Sequence, residues 1–129
     1  MLQFHTEFSG YSVEFSPFDE TRLACATAQH FGIVGNGRQY VLTTAGGPGA
    51  PGGLQPLAAF DSRDGLFDCT WSEENESVVA AGCGDGSIKL WDSLAPSGRP
   101  IQSLREHTKE VYSVDWNLVA KGTRACDRV

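Results

Sequence analysis

The sequence predicts an all-β fold, a partial β-propeller of about two four-stranded blades plus the first strand of a third. Three observations predict it. An aromatic-ended segment recurs as Tyr11-Ser12-Val13-Glu14-Phe15, Phe67-Asp68-Cys69-Thr70-Trp71 and Tyr112-Ser113-Val114-Asp115-Trp116, with His5-Thr6 ahead of the first copy and His107-Thr108 ahead of the last. The closing aromatics Phe15, Trp71 and Trp116 stand 56 and 45 residues apart, and the second spacing is the length of a four-stranded propeller blade. Apolar and polar residues alternate with a period of two, whereas no stretch carries a helical period.

The elements follow in order. The first blade, about 9–60, opens on the Tyr11–Phe15 copy. It contains Gly46-Gly47-Pro48-Gly49-Ala50-Pro51-Gly52-Gly53, a segment with no side chains to bury, expected as a flexible surface excursion that lengthens the first spacing. In the second blade, about 65–105, Leu66 to Trp71 alternates as an inner strand. Ser77 to Cys83 is a β-branched and small-residue run suited to burial on both faces. Gly84-Asp85-Gly86 is a tight turn in which Gly supplies positive φ, and Ser87 to Asp92 alternates again. A turn at Ala95-Pro96-Ser97-Gly98 leads to Pro100–Leu104, a short edge strand where Pro is tolerated. The third blade starts at about 106–117. Residues 120–129 fit no pattern and are expected to be a disordered tail.

Bulk properties narrow the function. The 129 residues have room for one domain, with 40% hydrophobic and 20% charged residues. A net charge of −6 with scattered Lys and Arg opposes a nucleic-acid partner and suits a cationic peptide. No apolar run reaches the roughly 18 residues of a membrane-spanning helix, so no direct membrane insertion is expected. Met1-Leu2-Gln3-Phe4-His5 lacks the pattern of a secretory signal. Cys25, Cys69, Cys83 and Cys126 form no Cys-x-x-Cys pair. They read as buried thiols of a reducing compartment, with no metal ligation. Asn75-Glu76-Ser77 spells a glycosylation sequon, which carries nothing without secretion. The Gly-rich loop lacks the Gly-Lys-Ser or Gly-Lys-Thr end of a phosphate-binding loop, and Gly35-Asn36-Gly37 lacks the rest of a dinucleotide site. No Gly-x-Ser-x-Gly elbow is present. The chain is expected to be a binding module without cofactor, not an enzyme. His30, next to Phe31, reads as a turn histidine.

Gly84-Asp85-Gly86-Ser87-Ile88-Lys89-Leu90-Trp91-Asp92 resembles the WD repeat, down to its terminal Trp-Asp. The resemblance assigns structural roles to Asp85, Trp91, Asp92 and His107. In the family a Trp, a turn Asp, a strand Ser or Thr and a His hydrogen-bond within each blade. Here Ser62 or Asp64 stands at the His position, and Ala81 and Cys83 stand where the hydroxyl belongs. That network is expected to be incomplete, with packing of Trp71 and Trp91 in its place. The runs Phe8–Phe18, Arg22–Gln29 and Phe31–Arg38, with Asp64–Asp68 and Glu106–Trp116, are similar to the peroxisomal targeting signal type 2 receptors, a family of WD-repeat peroxins. The resemblance covers residues 1 to about 119. It implies seven blades in the family, and this chain is therefore read as a truncated form.

The resemblance further implies a peptide-binding import receptor that takes an Arg-containing N-terminal signal helix of peroxisomal matrix proteins. Its partners would be an import co-receptor and docking proteins, and its place the cytosol, cycling to the peroxisome. Such a ligand needs carboxylates for the guanidinium and an apolar surface beside them. Asp64 and Glu110 precede the inner strands of successive blades, seven residues before Trp71 and six before Trp116. They are therefore expected side by side on one face. Asp68, on an inner strand, is a third candidate for the signal peptide. Tyr11 and Tyr112 are read as packing residues. The alternative is a generic WD-repeat interaction scaffold in another complex, which rests on the Trp91-Asp92 unit alone.

Overall fold

The computed structural model describes residues 4–29, 36–44, 53–94, 98–105, 107–115 and 126–128. Two antiparallel four-stranded sheets follow one another along the chain. The first comprises β1 (Ser9–Phe15), β2 (Arg22–Ala28), β3 (Gly37–Thr43) and β4 (Gln55–Ser62), and the second β5 (Leu66–Trp71), β6 (Val78–Cys83), β7 (Ser87–Asp92) and β8 (Gln102–Arg105). In each, spatial order equals chain order, the meander of a propeller blade. The short β9 (Ser113–Asp115) lies against the second sheet and pairs antiparallel with β10 (Cys126–Arg128). The fold is an all-β, partial WD-repeat propeller.

The alternating runs at 66–71 and 87–92 are strands over those same residues. Two boundaries shift. Ser77 closes a turn, its amide and hydroxyl both donating to Asn75 Oδ1 at 3.0 and 2.9 Å, so β6 starts at Val78. The edge strand starts at Gln102, two residues beyond Pro100, whose ring nitrogen has no proton for a ladder. The tail expected to lack pattern includes β10, which pairs Cys126 with Asp115, Asp127 with Val114 and Arg128 with Ser113. Residues 120–125 and 129, the loop at 45–52, His30 and the turn residues 95–97 lie outside the described residues.

Strand alternation sorts the apolar residues into three layers. Ala24, Ala26, Val41 and Phe60 of the first sheet face Cys69, Trp71, Val79, Ala81, Cys83 and Trp91 of the second, all buried. The alanines leave volume for two indoles: Trp91 stacks on Phe60 at 5.6 Å between centroids, and Trp71 Nε1 donates to Glu14 O at 2.9 Å. On the far side of the second sheet Val78, Ala80, Ile88 and Leu90 are covered by Val111 and Val114. On the far side of the first, Leu23, Cys25, Tyr40 and Leu42 pack with Phe4 and Leu54. Val13 and Phe15 lie opposite Cys25 and Leu23 in the β1–β2 pair and stay 57% and 62% exposed.

Both inner hairpins close in the same way. Ser16 Oγ accepts from the amides of Phe18 and Asp19, and Asp19 Oδ1 accepts from the amide and hydroxyl of Thr21. One blade on, Ser72 Oγ accepts from Glu74 and Asn75, and Asn75 Oδ1 accepts from Ser77. A Ser-x-x-Asx-x-Ser/Thr spacing thus satisfies each turn from its own side chains.

Candidate peptide-binding site

The β6–β7 turn is the centre of the site, because the connections into β5 and β9 pack on it from two sides. From one side Gly84 N donates to Gly65 O at 2.9 Å, and both Phe67 Cε2 and Asp64 Cβ lie within 4 Å of where a Gly84 Cβ would stand. From the other, Val111 N donates to Cys83 O at 3.0 Å, and the carbonyls of His107 and Lys109 press on Gly86. Gly86 has φ +91, and a Cβ there would sit 2.2 Å from His107 O, so both the turn and the approach require glycine. The Asp64 connection leans on a glycine as well: a Cβ on Gly37 would lie 2.6 Å from Asp64 O and 2.9 Å from Leu66 N.

Asp64 and Glu110, one on each connection, are half-buried. Among the described residues neither carboxylate takes a hydrogen bond or an ion pair. Asp64 donates its amide to Ser62 Oγ at 3.2 Å.

Asp68 is engaged within the fold. Its Oδ1 accepts from Ser12 Oγ at 2.8 Å and from Cys69 N at 2.9 Å, and its Oδ2 accepts from Val114 N at 2.9 Å. One carboxylate thereby ties β1, β5 and β9 together. Glu14 is close enough to feel it: burial first, then the charges of Asp68 and Asp115, push the Glu14 carboxyl above the usual range.

The residues assigned to the repeat take these positions. Burial pushes the Asp85 carboxyl up, but the Ser87 hydroxyl and amide, with Lys89 and Arg105, outweigh it and hold the group below the usual range. Its Oδ1 accepts from Ser87 Oγ at 2.5 Å, and its Oδ2 meets Arg105 Nη2 at 2.9 Å and Lys89 Nζ at 3.4 Å. Asp92 Oδ1 accepts from Leu94 N at 2.9 Å. Trp91 is fully buried, and its Nε1 has no acceptor among the described residues; Ala81 and Cys83 line the same layer. His107 is half-buried and presents its carbonyl to the turn.

Other polar groups are committed elsewhere. Beside β3 a cavity of about 360 Å³ exposes Arg38, but its guanidinium donates to Asp61 Oδ1 at 2.6 Å and Tyr40 Oη at 3.2 Å and lies over the Phe8 ring. Burial pushes the Cys69 thiol to about 12 and the Cys83 thiol to about 11, so neither is a nucleophile at neutral pH. Cys25, Cys69 and Cys83 are free and buried. Cys126 belongs to β10.

One feature carries little signal in the sequence. The β1–β2 register skips Tyr11 and the β5–β6 register skips Phe67, so each is the extra residue of a β-bulge. A bulge re-aims its side chain, and here the rings meet: Tyr11 stands edge-on to Phe67 at 5.2 Å, and Tyr112 tilts against it at 5.1 Å. Tyr11 and Tyr112 remain 40% and 56% exposed. The only signal in the sequence is an aromatic at the same offset in all three copies.

Residues 54–92 match the family described as WD domain, G-beta repeat. Over 124 residues the chain is 64% identical to the peroxisomal targeting signal 2 receptor of Dictyostelium discoideum, covering 95% of this chain and 38% of that protein. It is 53% identical over 118 residues to peroxisome biogenesis protein 7 of Arabidopsis thaliana (91% and 36%). It is 51% identical over 108 residues to the peroxisomal targeting signal 2 receptor of Homo sapiens (84% and 32%). The chain therefore spans about a third of the length of the curated relatives it matches. With its two WD-type sheets and this identity along nearly its whole length, the chain is a WD-repeat chain similar to peroxisomal targeting signal 2 receptors.

Proposed function

We propose that the chain is a peptide-binding import receptor for the N-terminal type 2 targeting signal of peroxisomal matrix proteins, with Asp64 and Glu110 taking the Arg of the signal helix. One observation carries the reading: two half-buried carboxylates without partners among the described residues sit on the two connections that flank a single turn. Asp68, a third acid in the same region, acts by holding the strands that bear this pair. The names of the relatives support the same cargo class, and the overall charge of −6 favours approach of a cationic helix. In this reading the receptor works with an import co-receptor and docking proteins and shuttles between cytosol and peroxisome.

The test is calorimetric titration of the chain with a synthetic amphipathic helix bearing one Arg. Asp64→Arg and Glu110→Arg should each weaken binding roughly 30-fold or more, the effect of breaking a desolvated charge pair. Circular dichroism should stay unchanged, and added salt should weaken the wild-type complex. Equal affinity of wild type and both variants refutes the assignment.

A further inference from the structure

The connection that carries Asp64 has a second, oppositely charged end. It runs from β4, the outer edge strand of the first sheet, to β5, the inner strand of the second. Arg63 leaves β4 first and lines, with Arg38 of β3, the cavity of about 360 Å³ beside β3. Its backbone is pinned there: Asn36 N donates to Arg63 O at 2.8 Å, and Gly37 permits the close approach of the next carbonyl. Its side chain is exposed, and among the described residues the guanidinium makes no hydrogen bond or ion pair. Arg38 is held in place by Asp61, Tyr40 and the Phe8 ring. Two guanidiniums thus face the cavity against the one carboxylate of Asp61. The cavity is a positive spot on a chain whose net charge is −6.

Such a cavity suits a carboxylate. A guanidinium presents paired N–H donors that match two carboxylate oxygens, Arg38 adds a second positive charge, and Phe8 gives the wall an apolar patch for the methylenes of a ligand side chain. The strand ends decide which ligand reaches it. The ends of β2 and β6, the starts of β3 and β7 and the connection from β4 to β5 all lie at one end of the sheets, so the cavity and the two acids open on the same face. We propose that Arg63, backed by Arg38, takes an acidic side chain of the same peptide whose Arg is held by Asp64 and Glu110. Opposite charges on the protein then read opposite charges on the peptide, cation towards the inner strands and anion towards the outer edge. That fixes the direction in which the helix lies across the face, and it disfavours helices with a cation at the outer position. The proposal rests on the reading of Asp64 and Glu110 given above. Arg63 and Asp64 are consecutive, so the two ligand charges stand one or two helical turns apart, about 5–11 Å.

The experiment titrates the full chain with amphipathic helices that carry one Arg and, one or two turns before or after it, either Glu or its uncharged analogue Gln. At one of these positions wild type should bind the Glu helix about threefold more tightly than the Gln helix, the effect of a partly exposed ion pair. The net charge of −6 works against an added anion at long range, so a gain has to be local. Arg63→Gln should remove the gain and leave affinity for the Gln helix unchanged. Arg63→Glu should transfer the preference to a helix with Lys at that position. Arg63 is exposed, and matching thermal midpoints would exclude misfolding. Equal or weaker binding of every Glu helix by wild type, or a gain that survives Arg63→Gln, while Asp64→Arg still abolishes binding, overturns the anion seat alone. Failure of wild type to bind any helix, or indifference of all to Asp64→Arg, overturns the receptor reading and this proposal with it.

Discussion

Among single residues, Glu14 and Asp68 show how the inner strands manage their charge. Asp68 uses three of its acceptor sites on Ser12, Cys69 and Val114, donors that would otherwise be left unmatched. Glu14 carries a cost of that arrangement. Its carboxyl is pushed up by burial and by Asp68 and Asp115, so between the ordinary value and the folded one the folded protein holds a proton that the unfolded chain has released. A raised folded-state value favours the fold below the ordinary carboxylate range, and that contribution is lost as pH rises through the folded value. Glu14→Gln should therefore raise the urea midpoint at pH 7, with a gain that shrinks as pH falls through the folded value towards the ordinary carboxylate range. Urea titrations at pH 7 and pH 4 check this; an equal gain at both would remove the electrostatic account.

Among the elements, the β6–β7 turn has most influence on the site, since both acid-bearing connections pack on it. Gly86→Ala adds a Cβ at φ +91 and 2.2 Å from His107 O. The connection to β9 has to move, and Glu110 moves with it. The expected cost is about 1–3 kcal/mol of stability, read as a lower urea midpoint, with weaker binding of the Arg-bearing helix than the stability loss alone produces. Retained affinity in the folded variant would separate the turn from the site. The strands themselves were largely legible: alternation marks 66–71 and 87–92 because one side chain in two faces a buried layer. The bulges at Tyr11 and Phe67 were not, because an inserted residue leaves no trace in a pattern of period two. The repeated Ser-x-x-Asx-x-Ser/Thr closures at 16–21 and 72–77 stand in the sequence, obscured by Pro17-Phe18 in one copy and three glutamates in the other.

For the whole molecule, the organising fact is that the second sheet buries both faces, one against the first sheet and the other under Val111 and Val114, in series along the chain. Sequence gives the repeat and hence the series, but not which residues meet across it. The bonds from Ser12 to Asp68 and from Asp68 to Val114 join positions 56 and 46 apart, beyond the reach of any local pattern. The likeness in sequence brought Asp64 and Glu110 into view, and topology then set both connections on one turn. The role of Asp68 as a tie came from geometry alone.

The layer between the sheets has an optical consequence. Trp71 and Trp91 each project from the second sheet into that layer and engage the first, one through Glu14 O and the other through Phe60. Excited indoles shielded from solvent dipoles emit to the blue, so their light reports whether the sheets are joined, independently of whether each sheet keeps its backbone pairing. With Trp116→Phe leaving only these two indoles to emit, the emission maximum in graded urea should shift to the red before far-ultraviolet dichroism is lost if the sheets part as intact units. Superimposable curves from the two probes would mean that neither sheet survives separation from the other.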